Sequence, residues 1–449
     1  MPVYRDGADL EGVGGPSRPA PTFIDAFAGC GGLSLGLKRA GWRGLFAIEK
    51  AAFAFETLNT NFPPNAERLG YDWPETIERQ AWDIRQLIDM RVEALHGLAG
   101  RVDLIAGGPP CQGFSHAGRR RADDPRNRLF EAYLELVAIV RPRLVLIENV
   151  RGFTSDFQRK DGEIENFAET LQARLGTTYS TTNRMLKASD LGVPQARPRF
   201  FLIGIRKDLG DSERLGGFFD RLVRDSGAFL QAHGLDKVAT ARDAISDLEV
   251  GFAGKLACVE CKGFEAIGYK GPRTRFQEAM RDGHAGAPSD TRLARHRPDI
   301  AVRFASIIAA CREEGRLNVT ISAETRKAHG LKKMAIRVLD PLAPAPTITS
   351  LPDDLLHYSE PRTLSVRENA RLQTFPDWFQ FKGKYTTGGT LRAREVPRFT
   401  QVANAVPPLL AEQLGLGLLR LIGASVDMPI ECIANGDERR LMLVQHSAE

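Results

Sequence analysis

Short apolar runs punctuated by glycine and proline dominate the first half of the chain. Thr22 to Phe27 reads as a buried strand, Gly29, Gly31 and Gly32 as a turn, and Leu33 to Ala40 as a helix with apolar residues at helical spacing. Leu45 to Ile48 makes a second strand ending in Glu49, and Val102 to Ala106 a third that runs into Gly107-Gly108-Pro109-Pro110-Cys111. A helix from about Leu129 to Val140, a strand Leu144 to Ile147 ending at Glu148, a helix around Ile164 to Leu175 and a strand Arg199 to Ile205 follow. Strands alternating with helices predict an α/β fold with a doubly wound, mostly parallel sheet. Ligands gather beyond the carboxyl ends of such strands, and Gly29, Glu49, Cys111 and Glu148 all fall there.

After Asp208 the pattern changes to Gly-rich and basic segments with few clear periodic helices, up to about Tyr385, which predicts a second, smaller and irregular domain. From Gln401 through Leu421 an apolar helical pattern returns around Pro407-Pro408. The expected organisation is a flexible leader at 1–20, a catalytic and cofactor-binding domain at 21–208, a substrate-recognition domain at 209–395, a returning helix at 396–425 and a tail at 426–449. No internal repeat or low-complexity tract is present.

Composition changes this picture little. The 449 residues are 43% hydrophobic and 26% charged, as in soluble globular proteins. No run approaches the ~20 apolar residues of a membrane span, and the amino terminus lacks a basic start followed by an apolar run, which argues against insertion and secretion. Six cysteines are too sparse for a disulfide framework, so free thiols in a reducing, cytoplasmic compartment are expected. Charge adds more: residues 251–350 carry a net +7 while the rest of the chain carries −2, and 47 of the 61 basic residues are arginine. Arginine suits bidentate contacts to phosphate and guanine, so a polyanionic partner is one reading; a solvated surface with arginine-rich codon usage is the other.

The glycines at 29, 31 and 32 let backbone amides approach a ligand at a helix start, although a tight packing turn uses glycine equally well. Glu49, at a strand end, stands where a carboxylate accepts hydrogen bonds from ribose hydroxyls; together they imply a nucleoside-containing cofactor, and the departure from G-x-G-x-x-G spacing demotes NAD. Cys111, between the rigid Pro109-Pro110 pair and Gln112-Gly113-Phe114-Ser115, stands at the cleft as a soft nucleophile. Glu148 at the mouth of an apolar strand is placed to protonate or hydrogen-bond a ring nitrogen, or simply to cap a helix. Gln195-x-Arg197-x-Arg199 alternates so that both guanidinium groups share a face, where they could hold the carboxylate and a phosphate. Cys258-x-x-Cys261 is half of a tetrahedral metal site, and His284, His296 and Cys311 show no paired spacing to supply the other half; free thiols and no metal are expected.

In this order and at these spacings the residues resemble the DNA (cytosine-5)-methyltransferases of bacterial restriction-modification systems, over most of 22–420. Asp25-Ala26-Phe27-Ala28-Gly29-Cys30-Gly31-Gly32 resembles the family's methyl-donor loop, and Glu49 and Asp83 its ribose and adenine contacts. Pro109-Pro110-Cys111-Gln112 resembles the nucleophile loop, Glu148-Asn149-Val150 the base-contacting triplet, and Gln195 to Arg199 the arginine motif. Arg367 to Pro376 resembles the segment closing the recognition domain, and Gln401-Val402-Ala403-Asn404-Ala405-Val406 the helix completing the cofactor pocket. Two positions depart: Ala403 stands where glycine is usual, and Lys50 where some relatives stack an aromatic on the adenine.

The resemblance implies a Rossmann-like catalytic domain that uses S-adenosyl-L-methionine and flips a cytosine out of duplex DNA. Cys111 would add to C6, with Glu148 at N3 and Arg197 and Arg199 behind it. The cofactor would lie against Asp25, Phe27, Ala28, Gly29, Cys30, Gly31, Gly32, Glu49, Asp83, Ile84, Pro110, Leu129, Asn404 and Ala405. DNA contacts would include Gln112, Ser115, Arg119, Arg120, Thr347 and Ile348. It implies a prokaryotic modification enzyme, a monomer on double-stranded DNA, acting beside a restriction endonuclease without stable binding to it. The alternatives are an RNA methyltransferase on the same scaffold, disfavoured by the long segment between Asp208 and Tyr385, and an inactive DNA-binding relative, disfavoured by the intact Cys111, Glu148 and Arg197.

Overall fold

The computed structural model describes residues 19–64, 66, 69–110, 127–158, 164–210, 212–235, 238–389 and 391–423. The leader up to residue 18 and the tail assigned to 426–449 therefore lie outside the described residues. The first elements are β1 (Thr22–Ala26), α1 (Gly32–Arg39), β2 (Arg43–Ile48), α2 (Ala52–Asn61), α3 (Ile84–His96), β3 (Leu104–Gly107), α4 (Asn127–Val140), β4 (Leu144–Val150) and α5 (Phe167–Leu175). Then come β5 (Tyr179–Lys187), a two-residue strand β6 (Gln195–Ala196) and β7 (Pro198–Arg206).

Six of these strands form one sheet in the order β2-β1-β3-β4-β7-β5. β1 to β4 pair in parallel, while β7 is antiparallel to both β4 and β5, so it alone opposes the other five. The sheet is covered on both faces because its apolar residues alternate between them. Phe23, Leu104, Ala106, Leu144 and Leu146 enter one core, and Ile24, Ile105, Val145 and Ile147 the other, which also takes Leu87 of α3, Val137 of α4 and Leu171 of α5.

The segment after residue 208 is more helical than the sequence predicts. It contains α6 (Phe218–Ala232), a hairpin of β8 (Lys255–Ala257) and β9 (Glu265–Ile267), α7 (Pro298–Glu313), the short strand β10 (Ala345–Pro346) and α8 (Val366–Leu372). α6 is amphipathic: Phe218, Phe219, Leu222, Ser226, Phe229 and Leu230 are buried at helical spacing, while Arg221, Arg224 and Asp225 lie off that stripe. α8 begins in a capping box between Ser365 and Glu368 and buries Arg367, Glu368 and Arg371. Arg371 satisfies its charge on Asp247 and Asp377, so these buried ions are paired.

The chain then returns through α9 (Leu391–Glu395), α10 (Arg398–Asn404) and α11 (Pro408–Leu421). The single returning helix expected over 396–425 is thus two, parted at Ala405–Pro407, because Pro407 and Pro408 cannot continue α10. By length and composition Arg398–Leu421 is apolar enough to be compared with a membrane span, but 78% of its apolar window is buried inside the fold. α11 packs into the first core against α1, where Gly36 and Gly415 permit close approach and Trp42 Nε1 donates to Gly415 O at 2.9 Å.

Candidate active site

The carboxyl ends of β1 to β4 and the returning segment enclose a cavity of about 600 Å³. Its first wall is the loop after β1. Phe27 and Gly29 adopt positive φ (61° and 58°), which turns the backbone of Phe27-Ala28-Gly29 toward the cavity. Glu49, at the end of β2, fixes that turn by accepting from Gly29 N at 3.0 Å and from Ala51 N at 2.6 Å. Burial raises its pKa, and these backbone bonds oppose the rise. Asp25 is buried at the end of β1 and accepts from Ser34 Oγ; burial lifts its carboxyl to about 7.

Only half of the glycine loop faces the cavity. Phe27, Ala28 and Gly29 line it; Cys30, Gly31 and Gly32 do not. Cys30 is buried with Sγ 3.7 Å from Gln401 O, and burial raises its thiol to about 12. A Cβ on Gly31 would come within 2.5 Å of the Phe62 ring, and one on Gly32 within 2.4 Å of Val406 O. These three residues stand behind the cavity lining, where the small size of Gly31 and Gly32 serves the packing of α1.

A second wall is formed by Trp82, Asp83 and Ile84, with Leu129 of α4 nearby. Asp83 caps α3 by accepting from Arg85 N at 3.0 Å, and Lys50 Nζ stands 3.7 Å from its other oxygen. Lys50 thus meets a carboxylate at the position where an aromatic was the alternative.

The third wall sets two guanidinium groups beside a carboxylate. Gly108, Pro109 and Pro110 leave β3, and the buried Asn149 donates to Pro109 O at 3.1 Å, tying this loop to β4. A side chain at 108 would press within 3.0 Å of Glu148 Oε2, so glycine keeps that carboxylate free. Glu148 Oε1 accepts from Arg199 Nε at 2.9 Å, both side chains being nearly buried. Arg197 is 2% exposed, and its Nε and Nη1 have no hydrogen-bond partner among the described residues. Burial and the like charge of Arg199 push its pKa down, and Glu148 pulls it back. An unpartnered, buried guanidinium at a cavity wall is built to meet an acceptor that arrives from outside.

Gln195 holds the arginine segment in place. Its Oε1 accepts from Ile348 N at 3.0 Å, its Nε2 donates to Gln373 Oε1 at 3.0 Å, and β6 pairs in parallel with β10. Thr347 Oγ1 donates to Ala196 O at 3.3 Å, and the side chain of Ile348 is buried among Leu339, Ala345 and Leu355. Thr347 and Ile348, the pair expected to contact DNA, thus stand against the arginine segment, with Thr347 half-buried and Ile348 buried.

The returning segment closes the cavity with Arg394, Val396, Gln401, Asn404, Ala405 and Val406. Asn404 and Ala405 stand where the sequence placed them, whereas Trp82, Arg394 and Val396 carried no motif. Cys111, Gln112, Ser115, Arg119 and Arg120 lie outside the described residues. Cys258 and Cys261 occupy the hairpin turn between β8 and β9, and among the described residues no group of three or more potential ligands is placed to hold a metal.

The family model for C-5 cytosine-specific DNA methylases matches residues 21–420. The type II methyltransferase M.DdeI of Desulfomicrobium norvegicum is 31% identical over 401 residues, covering 87% of each chain. M1.HphI of Haemophilus parahaemolyticus, another type II methyltransferase, is 31% identical over 404 residues, covering 89% of this chain and 87% of the relative. The crystal structure of a protein described as a DNA modification methyltransferase, encoded within an Escherichia coli prophage, superposes with a TM-score of 0.59 over 90% of this chain and 100% of that one; at 24% identity it speaks for the fold. With the sheet, the cavity and nearly all of the described chain in agreement, the protein belongs to the C-5 cytosine-specific DNA methylases and is a DNA (cytosine-5)-methyltransferase of the type II restriction-modification kind, in a family that uses S-adenosylmethionine.

Proposed function

We propose that the cavity binds S-adenosylmethionine on its β1–β2 side and a flipped cytosine on its Glu148 side, with Cys111 as the nucleophile. The observation that carries this reading is the arrangement of Glu148, Arg199 and the unpartnered Arg197 on one wall of a cavity whose opposite wall presents Glu49 and Asp83. The residues fit such a cofactor. Glu49 is held by backbone amides at a strand end, the place of a ribose acceptor, and the volume lies within the roughly 300–1,000 Å³ of small-molecule sites. Bound there, the cofactor would supply a methyl group made electrophilic by its sulfonium.

The chain's own residues prepare the acceptor carbon. The Cys111 thiolate adds to C6, which makes C5 enamine-like, and Glu148 at N3 stabilises the charge that develops in the ring. Arg199 orients Glu148, and Arg197 takes an acceptor on the base or its phosphate. Loss of the C5 proton later releases the thiolate. Extrusion of the base from the duplex costs a few kcal/mol, which contacts to the strand must offset. The basic segment within 209–395 serves as the target-recognition domain, and the enzyme acts as a monomer on duplex DNA in a prokaryotic cytoplasm, beside an endonuclease that it does not stably bind.

Duplex DNA carrying 5-fluorocytosine in the methylated site tests the covalent step. With S-adenosylmethionine present, a denaturation-resistant protein–DNA adduct is expected from the native chain and none from Cys111→Ser. An unchanged adduct yield in Cys111→Ser would remove the thiol from the mechanism.

A further inference from the structure

The cavity is lined by four cationic side chains and by the carboxylates Asp25, Glu49, Asp83 and Glu148, yet these charges are not all paired with one another. Of its four cationic side chains, Lys50 is near Asp83 and Arg199 is bonded to Glu148. Arg197 stands beside Arg199 on the cytosine side. The fourth, Arg394, comes from α9 on the returning wall, next to the stretch that carries Gln401, Asn404 and Ala405. It forms no hydrogen bond or ion pair among the described residues, although its neighbour Glu395 is paired with Lys384 at 2.9 Å.

The backbone around Arg394 is set at a cost. Val396, two residues on, has φ +49°, a left-handed conformation that a β-branched residue rarely adopts. Such strain persists where the surroundings over-determine it. Here Val396 N donates to Arg392 O at 3.1 Å, closing α9, and Val396 O accepts from Gln401 Nε2 at 3.0 Å, tying α9 to the helix that carries Asn404. The turn holds the end of α9 against the cavity.

We infer that Arg394 binds the carboxylate of the cofactor's amino-acid end and so sets the enzyme's preference for an intact methionyl moiety. The inference rests on the reading of this cavity as the S-adenosylmethionine site. That ligand has one carboxylate, and a guanidinium is the donor group best matched to it in shape and charge. Glu49 and Asp83 leave the nucleoside end acidic, and Arg197 and Arg199 are engaged on the side of the base, so Arg394 is the cation that remains for it.

Calorimetric binding of S-adenosylhomocysteine and of its decarboxylated analogue, S-adenosyl-3-thiopropylamine, tests this in the full chain. The native protein should prefer the intact compound. Arg394→Ala should weaken S-adenosylhomocysteine about tenfold, the effect of losing one charge-assisted hydrogen bond at a partly exposed site, and leave the analogue's affinity unchanged. Arg394→Lys should recover part of the difference. Equal weakening of both compounds, no weakening of either, or a loss confined to DNA affinity would overturn the assignment. If the native chain bound neither compound, the cofactor reading of the cavity itself would fail instead.

Discussion

Replacing Gly36 by alanine should destabilise the protein, although the same change in an ordinary helix is stabilising. Gly36 lies within α1 where α11 crosses it. A Cβ there would stand 2.3 Å from Ala411 Cβ, 2.5 Å from Pro408 O and 2.6 Å from Glu412 N. Two of those atoms are backbone, so α11 must shift. Helix propensity favours alanine over glycine by roughly 1 kcal/mol. Overpacking of a filled interface costs about 1–3 kcal/mol and more when backbone must move. The expected net result is a loss of about 1–2 kcal/mol. Gly227 is the internal control: it lies within α6, is exposed and has nothing within 4 Å of its would-be Cβ, so Gly227→Ala should gain about 0.5–1 kcal/mol. Urea unfolding of the three proteins, with the slope checked for constancy, reads the difference. Because Ala405 and Val406 at the head of α11 line the cavity, Gly36→Ala should also weaken S-adenosylhomocysteine. If Gly36→Ala proves as stable as the native chain, the close crossing described above is wrong.

Arg199→Leu leaves Glu148 nearly buried without its counter-charge. We expect kcat to fall about 100-fold or more, with S-adenosylhomocysteine affinity nearly unchanged; near-native turnover would detach Arg199 from the positioning of Glu148. Asp25→Asn tests a pH effect. Burial holds the Asp25 carboxyl at about 7 in the folded chain against 3.8 for the free group, so between those values the folded state binds the proton more tightly than the unfolded one. Its contribution to stability therefore falls as pH rises through that window. Asp25→Asn should gain stability relative to the native chain at about pH 8 compared with about pH 5, measured without cofactor; an unchanged difference between the two conditions would contradict it.

Much of the site was legible because it sits on short apolar strands interrupted by residues that have no business in a strand. Glu49, Gly108-Pro109-Pro110 and Glu148 are each visible as the first break after a buried run. β5 was not, since an edge strand reading Tyr179-Ser-Thr-Thr-Asn-Arg-Met-Leu-Lys187 is mostly half-exposed and shows no apolar alternation. The tight packing of Gly31 on Phe62 and of Gly32 on Val406 O has no signature in sequence, because a glycine needed for a ligand and one needed for a neighbouring group look identical until the neighbour is known. Arg394, Val396 and Trp82 reach the cavity only through tertiary placement, and the strained φ at Val396 has no signature in its residue type.

The two-residue ladder between β6 and β10 has a practical consequence. Gln195 and Ile348 are about 150 positions apart, yet the side chain of one and the backbone of the other share a buried hydrogen bond just ahead of Arg197 and Arg199. If residues 209–395 set sequence preference, as proposed, an engineer transplanting that segment would have to leave Ala345 to Ile348 with the recipient. A junction drawn downstream of that stretch would hand the recipient's arginines to a foreign scaffold, and such a hybrid could bind its new target while methylating it poorly.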